Sequence, residues 1–113
     1  MTGGRSVFRS KYDEVVHSWA VFRLLRRFVE SDSGQEFERT FVSTPGAVAC
    51  VALTHEGLVV LVRQYRATFD TVVTELPAGM RDIEGESPEV TALRELKEET
   101  GYVASSMERM GTC

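Results

Sequence analysis

The chain is poor in cysteine, and it has no long apolar run. Its two cysteines, Cys50 and Cys113, cannot build a disulfide framework. Cys50 lies inside an apolar run and reads as a buried, reduced thiol, which fits a cytoplasmic protein. No apolar stretch approaches the roughly 18 residues of a membrane span, and the longest, Ala47–Leu53, is strand-sized. Arg5, Arg9 and Lys11 are followed by no apolar block, so no secretory signal is expected. Repeats and low-complexity tracts are absent. So is a broad basic face, which argues against nucleic acid as a partner.

What remains is a globular composition in 113 residues, 42% hydrophobic and 27% charged, enough for one domain. The net charge of −4 is unevenly placed. Residues 75–99 hold eight acidic residues against Arg81, Arg94 and Lys97. Acid concentrated beside an apolar core suggests a solvated helix or a cation site.

Residues 1–18 read as a loose, flexible start. Residues 19–30 fit either an apolar helical stripe (Trp19, Phe22, Leu25, Val29) or one face of a strand (Phe22, Leu24, Phe28). The turn signal Ser31-Asp32-Ser33-Gly34, with β-prone residues 36–42 after it, favours a hairpin over 19–44. Pro45-Gly46 closes it. From 45 onward the pattern predicts buried strands at 47–53 and 58–65, a connection at 67–73, and a short strand at 75–79 ending in a turn.

Residues 88–100 give the clearest helix. Ser87 suits the N-cap and Pro88 the first turn, and Gly101 can close the helix in the left-handed conformation. Val90, Leu93 and Leu96 form its apolar stripe. Glu98 and Glu99 sit at the end where the helix dipole disfavours them. Glu95 and Glu99, four apart, share a face and repel; a divalent cation would reverse the sign. Arg94 can pair with Glu98 at the same spacing.

Gly79-Met-Arg-Asp-Ile-Glu-Gly-Glu86, followed by Arg94-Glu-Leu-Lys-Glu-Glu-Thr-Gly-Tyr102, resembles the Nudix box. The spacing from Glu86 to Arg94 fits, as does every fixed residue from Arg94 to Gly101. Two departures stand: six residues instead of five separate Gly79 from Glu86, and Tyr102 replaces an aliphatic residue. The resemblance implies an α/β Nudix fold, a mixed β-sheet sandwiched by helices, preceded by the N-terminal β-hairpin, with residues 45–113 forming part of the Nudix domain. It implies hydrolysis of a nucleoside diphosphate derivative with Mg²⁺ (or Mn²⁺), with Glu95, Glu99 and the Ala78 carbonyl as metal ligands. Glu98, Glu99 and Arg94 would be the catalytic group.

Pro45-Gly-Ala-Val-Ala49, Arg63-Gln-Tyr-Arg66 and Glu75-Leu-Pro-Ala-Gly79 narrow the likeness to the ADP-ribose pyrophosphatase subfamily. That subfamily cleaves ADP-ribose to AMP and ribose 5-phosphate as a homodimer whose N-terminal strands complete the partner's site. The resemblance puts Arg66 and Met80 on substrate within a subunit, and Trp19 and Arg39 on substrate shared with the partner. Read as residues alone, Trp19 is a core aromatic or a base platform, Arg39 a surface charge or a phosphate ligand, and Met80 a gap filler or a contact. His17 and His55 lack any partner pattern for catalysis.

Twelve residues follow Gly101. The family's later strands, and a loop bearing a further acidic residue, would lie beyond residue 113. The C-terminal part of the fold is therefore expected to be missing, with the chain by itself binding metal weakly and hydrolysing nothing. The alternatives are a Nudix hydrolase of another nucleoside diphosphate derivative, and an inactive fragment serving as a binding or dimerisation module.

Overall fold

A computed structural model describes residues 7–113. The chain divides between Pro45 and Gly46 into two compact units.

The first unit is an antiparallel meander of three strands, β1 (Phe8–Trp19), β2 (Phe22–Ser31) and β3 (Glu36–Ser43), in that order. The hairpin expected from residues 19–44 is β2–β3. Its turn is set by Gly34 at φ +85°, with the Gln35 amide donating to Ser31 Oγ at 3.1 Å. The flexible start expected over residues 1–18 is corrected from Phe8 onward: these residues form a twelve-residue strand. Residues 1–6 lie outside the described residues. β1 escapes a sequence reading because it mixes charged, aromatic and aliphatic residues and is exposed throughout, and cross-strand pairs hold it in place of burial. Arg9 and Lys11 reach Glu30, Lys11 also reaches Glu36, Arg27 forks onto Asp13 at 2.8 and 3.0 Å, and Tyr12 stacks on Phe28. Exposed pairs of this kind each contribute little, and they act together along the strand. Leu25 is buried in this unit.

The second unit has two small sheets and a helix. β4 (Ala47–Ala49) pairs antiparallel with β7 (Ala78–Met80), and β5 (Val62–Arg66) with β6 (Thr71–Glu75). Several expectations are corrected here. The run 47–53 is a strand only to Ala49, and 58–65 only from Val62; Leu53 and Val59 meet in an isolated bridge. Neither run is covered on both faces: Val51, Leu53, Leu58, Val59 and Leu61 are 46–67% exposed. Most of the connection at 67–73 is a tight turn entering β6, with Tyr65 donating to Asp70 at 2.6 Å. Glu75 ends β6, and β7 begins only after Leu76-Pro77.

The helix α1 (Pro88–Thr100) matches the expected bounds. Ser87 Oγ accepts from the Val90 amide, and Gly101 at φ +78° returns its amide to the Lys97 carbonyl. Its buried face is Thr91, Ala92 and Leu96, not the expected Val90–Leu93–Leu96 stripe; Val90 and Leu93 are partly exposed. Leu96, Thr91, Ala92, Cys50 and Pro77 make the small core of this unit, where α1 packs on β7 and β4. Cys50 is buried and Cys113 exposed, both reduced.

Candidate active site

Helical spacing sends Arg94, Glu95, Glu98 and Glu99 off the second half of α1 within two turns. Arg94 is the hub. Its Nε and Nη2 fork onto Glu86, each at 3.0 Å, the bidentate geometry that suits guanidinium and carboxylate. Its Nη1 donates to Glu95 at 3.1 Å and Glu98 at 3.3 Å. Thr91 Oγ1 adds a hydrogen bond to Glu86 at 2.7 Å. The Arg94 guanidinium, with help from Thr91, holds the Glu86 carboxyl below the usual carboxylate range, and Glu86 in turn raises Arg94.

Glu95 reaches toward β7. Its carboxylate lies over the Cα of Gly79, in the space a Cβ would fill. The same strand presents the Ala78 carbonyl. Cys50 N donates to Pro77 O, and Arg81 N to Gly46 O. These bonds bracket the ladder and make Val48–Gly79 its hydrogen-bonded pair, so Ala49–Ala78 is the open pair. Main-chain groups of an open pair point away from the partner strand, which leaves the Ala78 carbonyl unclaimed by β4.

Glu99 stands apart from the Arg94 cluster. Among the described residues no cation pairs with it; its side chain accepts one hydrogen bond, from Gln64 Nε2 on β5 at 3.3 Å. This donor set suits a hard divalent cation: two carboxylates and one main-chain carbonyl, with a bare glycine beside the first carboxylate. Among the described residues no trio of His, Cys, Asp or Glu side chains closes into a full cage. Mg²⁺ ordinarily needs only one or two carboxylates and completes its shell with waters and phosphate oxygens.

The other sequence-predicted residues lie as follows. Arg66, the last residue of β5, forks onto Glu75 through Nε and Nη2 at 2.9 Å. Met80 ends β7, opposite Ala47, and is half-buried. In the first unit, Trp19 closes β1 in a near-parallel stack with His17 (5.4 Å) and Phe22 (5.6 Å) and is 44% exposed, so it is no core residue. Arg39 lies on β3 over the Phe37 ring at 4.8 Å and donates to the Glu38 carbonyl. Sequence reasoning gave no role to Gln64, Glu75 or Thr91. Gln64 and Glu75 stood inside quoted motifs, but their contacts are made in three dimensions.

The family model of the NUDIX domain matches residues 43–113. The chain belongs to the Nudix family. Among its relatives, the methanol dehydrogenase activator of Bacillus methanolicus is 46% identical over 95 residues, covering 84% of this chain and 51% of that protein. An ADP-ribose pyrophosphatase of Bacillus subtilis is 42% identical over 97 residues, covering 86% and 52%. The Nudix chain thus spans about half the length of these relatives. A solved structure of an ADP compounds hydrolase superposes with a TM-score of 0.68 at 25% identity, covering 93% of this chain and 57% of that one. The expected Nudix fold is thereby shown.

Proposed function

We propose that this Nudix chain carries the metal-binding side of a pyrophosphatase that cleaves ADP-ribose, or a related nucleoside diphosphate sugar, to AMP and a sugar phosphate. The observation that carries the reading is the division of carboxylates on α1. Arg94 gathers Glu86, Glu95 and Glu98, while among the described residues no cation pairs with Glu99, and Glu95 is turned onto the bare backbone at Gly79. Two acidic groups kept close and incompletely neutralised cost stability without a counter-charge; a divalent ion and a diphosphate supply that balance. The likeness to an ADP-ribose pyrophosphatase at 42% identity supports the substrate class.

In this reading Glu95, Glu99 and the Ala78 carbonyl hold Mg²⁺, or Mn²⁺ in its place. The ion, when bound, supplies charge neutralisation at the phosphates and a water of lowered pKa. The protein's own part is positional. Arg94 keeps Glu95 and Glu98 in register with Glu86. Arg66, oriented by Glu75, offers a guanidinium edge to a phosphate, and Met80 ends the strand that carries the Ala78 carbonyl. Trp19 and Arg39 serve the base and phosphates of a substrate shared in a homodimer, through the three-stranded unit. No helix of the described residues is long and apolar enough to cross a membrane. The buried free thiol of Cys50 supports a reducing, cytoplasmic setting.

The test is AMP release from ADP-ribose with Mg²⁺ by the protein as its gene encodes it, compared with Glu99→Gln. Loss of a direct ligand should exceed the roughly 10–100-fold cost of changing a metal's outer partners. Equal rates in parent and variant would refute the assignment and favour a binding module.

A further inference from the structure

Gln64 lies 35 residues before Glu99 in sequence, on a different element, and belongs to no box position. It alternates along β5 with Val62 and Arg66, so the three side chains share one face of the β5–β6 hairpin. From that face its amide donates to Glu99 Oε2. The donor type is the telling feature. Every other carboxylate of the cluster is held by the Arg94 guanidinium. Glu95 already carries a share of the Arg94 charge; a second cation at Glu99 would neutralise the carboxylate charge that is left for a divalent ion. A carboxamide fixes one oxygen and leaves the charge, and the second oxygen, available.

We infer that Gln64 is a positioning residue that orients Glu99 for a divalent cation from a neighbouring hairpin while preserving its charge. The inference rests on the metal reading of the site. It also couples the β5–β6 hairpin, which carries Arg66, to the helix carrying the carboxylates, through one hydrogen bond from an uncharged donor.

The test uses Mn²⁺ as the probe, with free ion counted by electron paramagnetic resonance in titrations of the 113-residue chain and its variants. Gln64→Met, nearly isosteric but without the donor, should weaken Mn²⁺ binding by about tenfold, within the range seen for outer partners of metal ligands. Gln64→Lys keeps a donor and adds a charge. It should weaken binding further while its melting temperature stays at or above the parent's. A merely structural glutamine would give the opposite ranking in Mn²⁺ affinity. A second measurement needs no variant. The chain has no asparagine, so its side-chain amide NMR signals come from Gln35 and Gln64. Substoichiometric Mn²⁺ should broaden the Gln64 pair. Parent-like Mn²⁺ affinity in either Gln64 variant, or a Gln64 amide that stays sharp, overturns the inference. If Glu99→Gln binds Mn²⁺ as the parent does, the metal site itself is wrong, which is a separate failure.

Discussion

The Glu95 carboxylate occupies the space directly over the Cα of Gly79, on β7. The glycine is required there by close approach, since the backbone of Gly79 does not adopt a left-handed conformation. Gly79→Ala should therefore displace the Glu95 carboxylate, the far end of a flexible side chain, while β7 and α1 stay in place. Weaker Mn²⁺ binding with a melting temperature close to the parent's is expected. Combining Gly79→Ala with Glu95→Ala should weaken binding no further than Glu95→Ala alone, because both act through the same carboxylate. If Gly79→Ala binds Mn²⁺ like the parent, the close approach is not a constraint.

Arg94 serves three carboxylates at once through the two edges of its guanidinium. Lysine, a single point donor, cannot fork onto Glu86 and still span Glu95. Arg94→Lys should lower the melting temperature and Arg94→Ala should lower it more. Glu86→Gln should fall between the parent and Arg94→Ala. Indifference to Arg94→Lys would show that charge alone, without geometry, organises the cluster.

The acid limb of stability follows from Glu86. Its carboxyl is held below the usual range, chiefly by Arg94 and then by Thr91. A depressed folded-state pKa stabilises the fold at pH values above the unfolded pKa, roughly 4.3 for Glu. That contribution is lost as pH falls through the folded value. Melting temperature should drop between about pH 5 and pH 3 in the parent. In Glu86→Gln the curve should be flatter over the same window and lower at neutral pH. A parent curve that superposes on the Glu86→Gln curve would remove Glu86 as the titrating group.

Leu96 is the fully buried large side chain of α1, at 2% exposure. Truncation of such a residue typically costs 2–5 kcal/mol through lost transfer energy and a residual cavity. With so few other buried side chains in the second unit, Leu96→Ala should abolish the cooperative thermal transition of α1, read by circular dichroism at 222 nm. Leu93→Ala, at a position 36% exposed, should leave that transition in place with only a modest downward shift.

The helix was legible because its determinants are local. A serine cap, a proline in the first turn, a left-handed glycine and carboxylates at fixed spacing all sit within fifteen consecutive residues. The β2–β3 hairpin was legible for the same reason, since Gly34 and its neighbours announce the turn. β1 was not. Its alternation of Lys11, Asp13 and Glu14 with aromatics resembles a solvated tail until β2 supplies Arg26, Arg27, Phe28 and Glu30 as partners. The runs 47–53 and 58–65 misled in the opposite sense, because apolar content predicts burial only where something covers the residue. In the site, Glu95 and Glu99 were readable from spacing, whereas the holds placed on them by Gly79 and Gln64 come from other strands.

Trp19 is the chain's single tryptophan, so its fluorescence reports one place. Its ring is 44% exposed and already stacked on His17 and Phe22 in a near-parallel ladder. An adenine joining such a ladder would contribute roughly 1–3 kcal/mol, by analogy with base–aromatic stacking at single-stranded nucleic acids. If Trp19 serves the base of an ADP-sugar, ADP-ribose should quench its emission saturably, and ribose 5-phosphate should not. If Arg39 serves the phosphates of the same ligand, Arg39→Ala should weaken binding with maximal quenching unchanged. His17→Ala should change the emission of the free protein while leaving the ADP-ribose midpoint within about threefold, since a lost neighbour in the stack costs of order 0.5 kcal/mol. Absence of quenching up to saturating ADP-ribose would place Trp19 outside the substrate site and leave the exposed stack as packing alone.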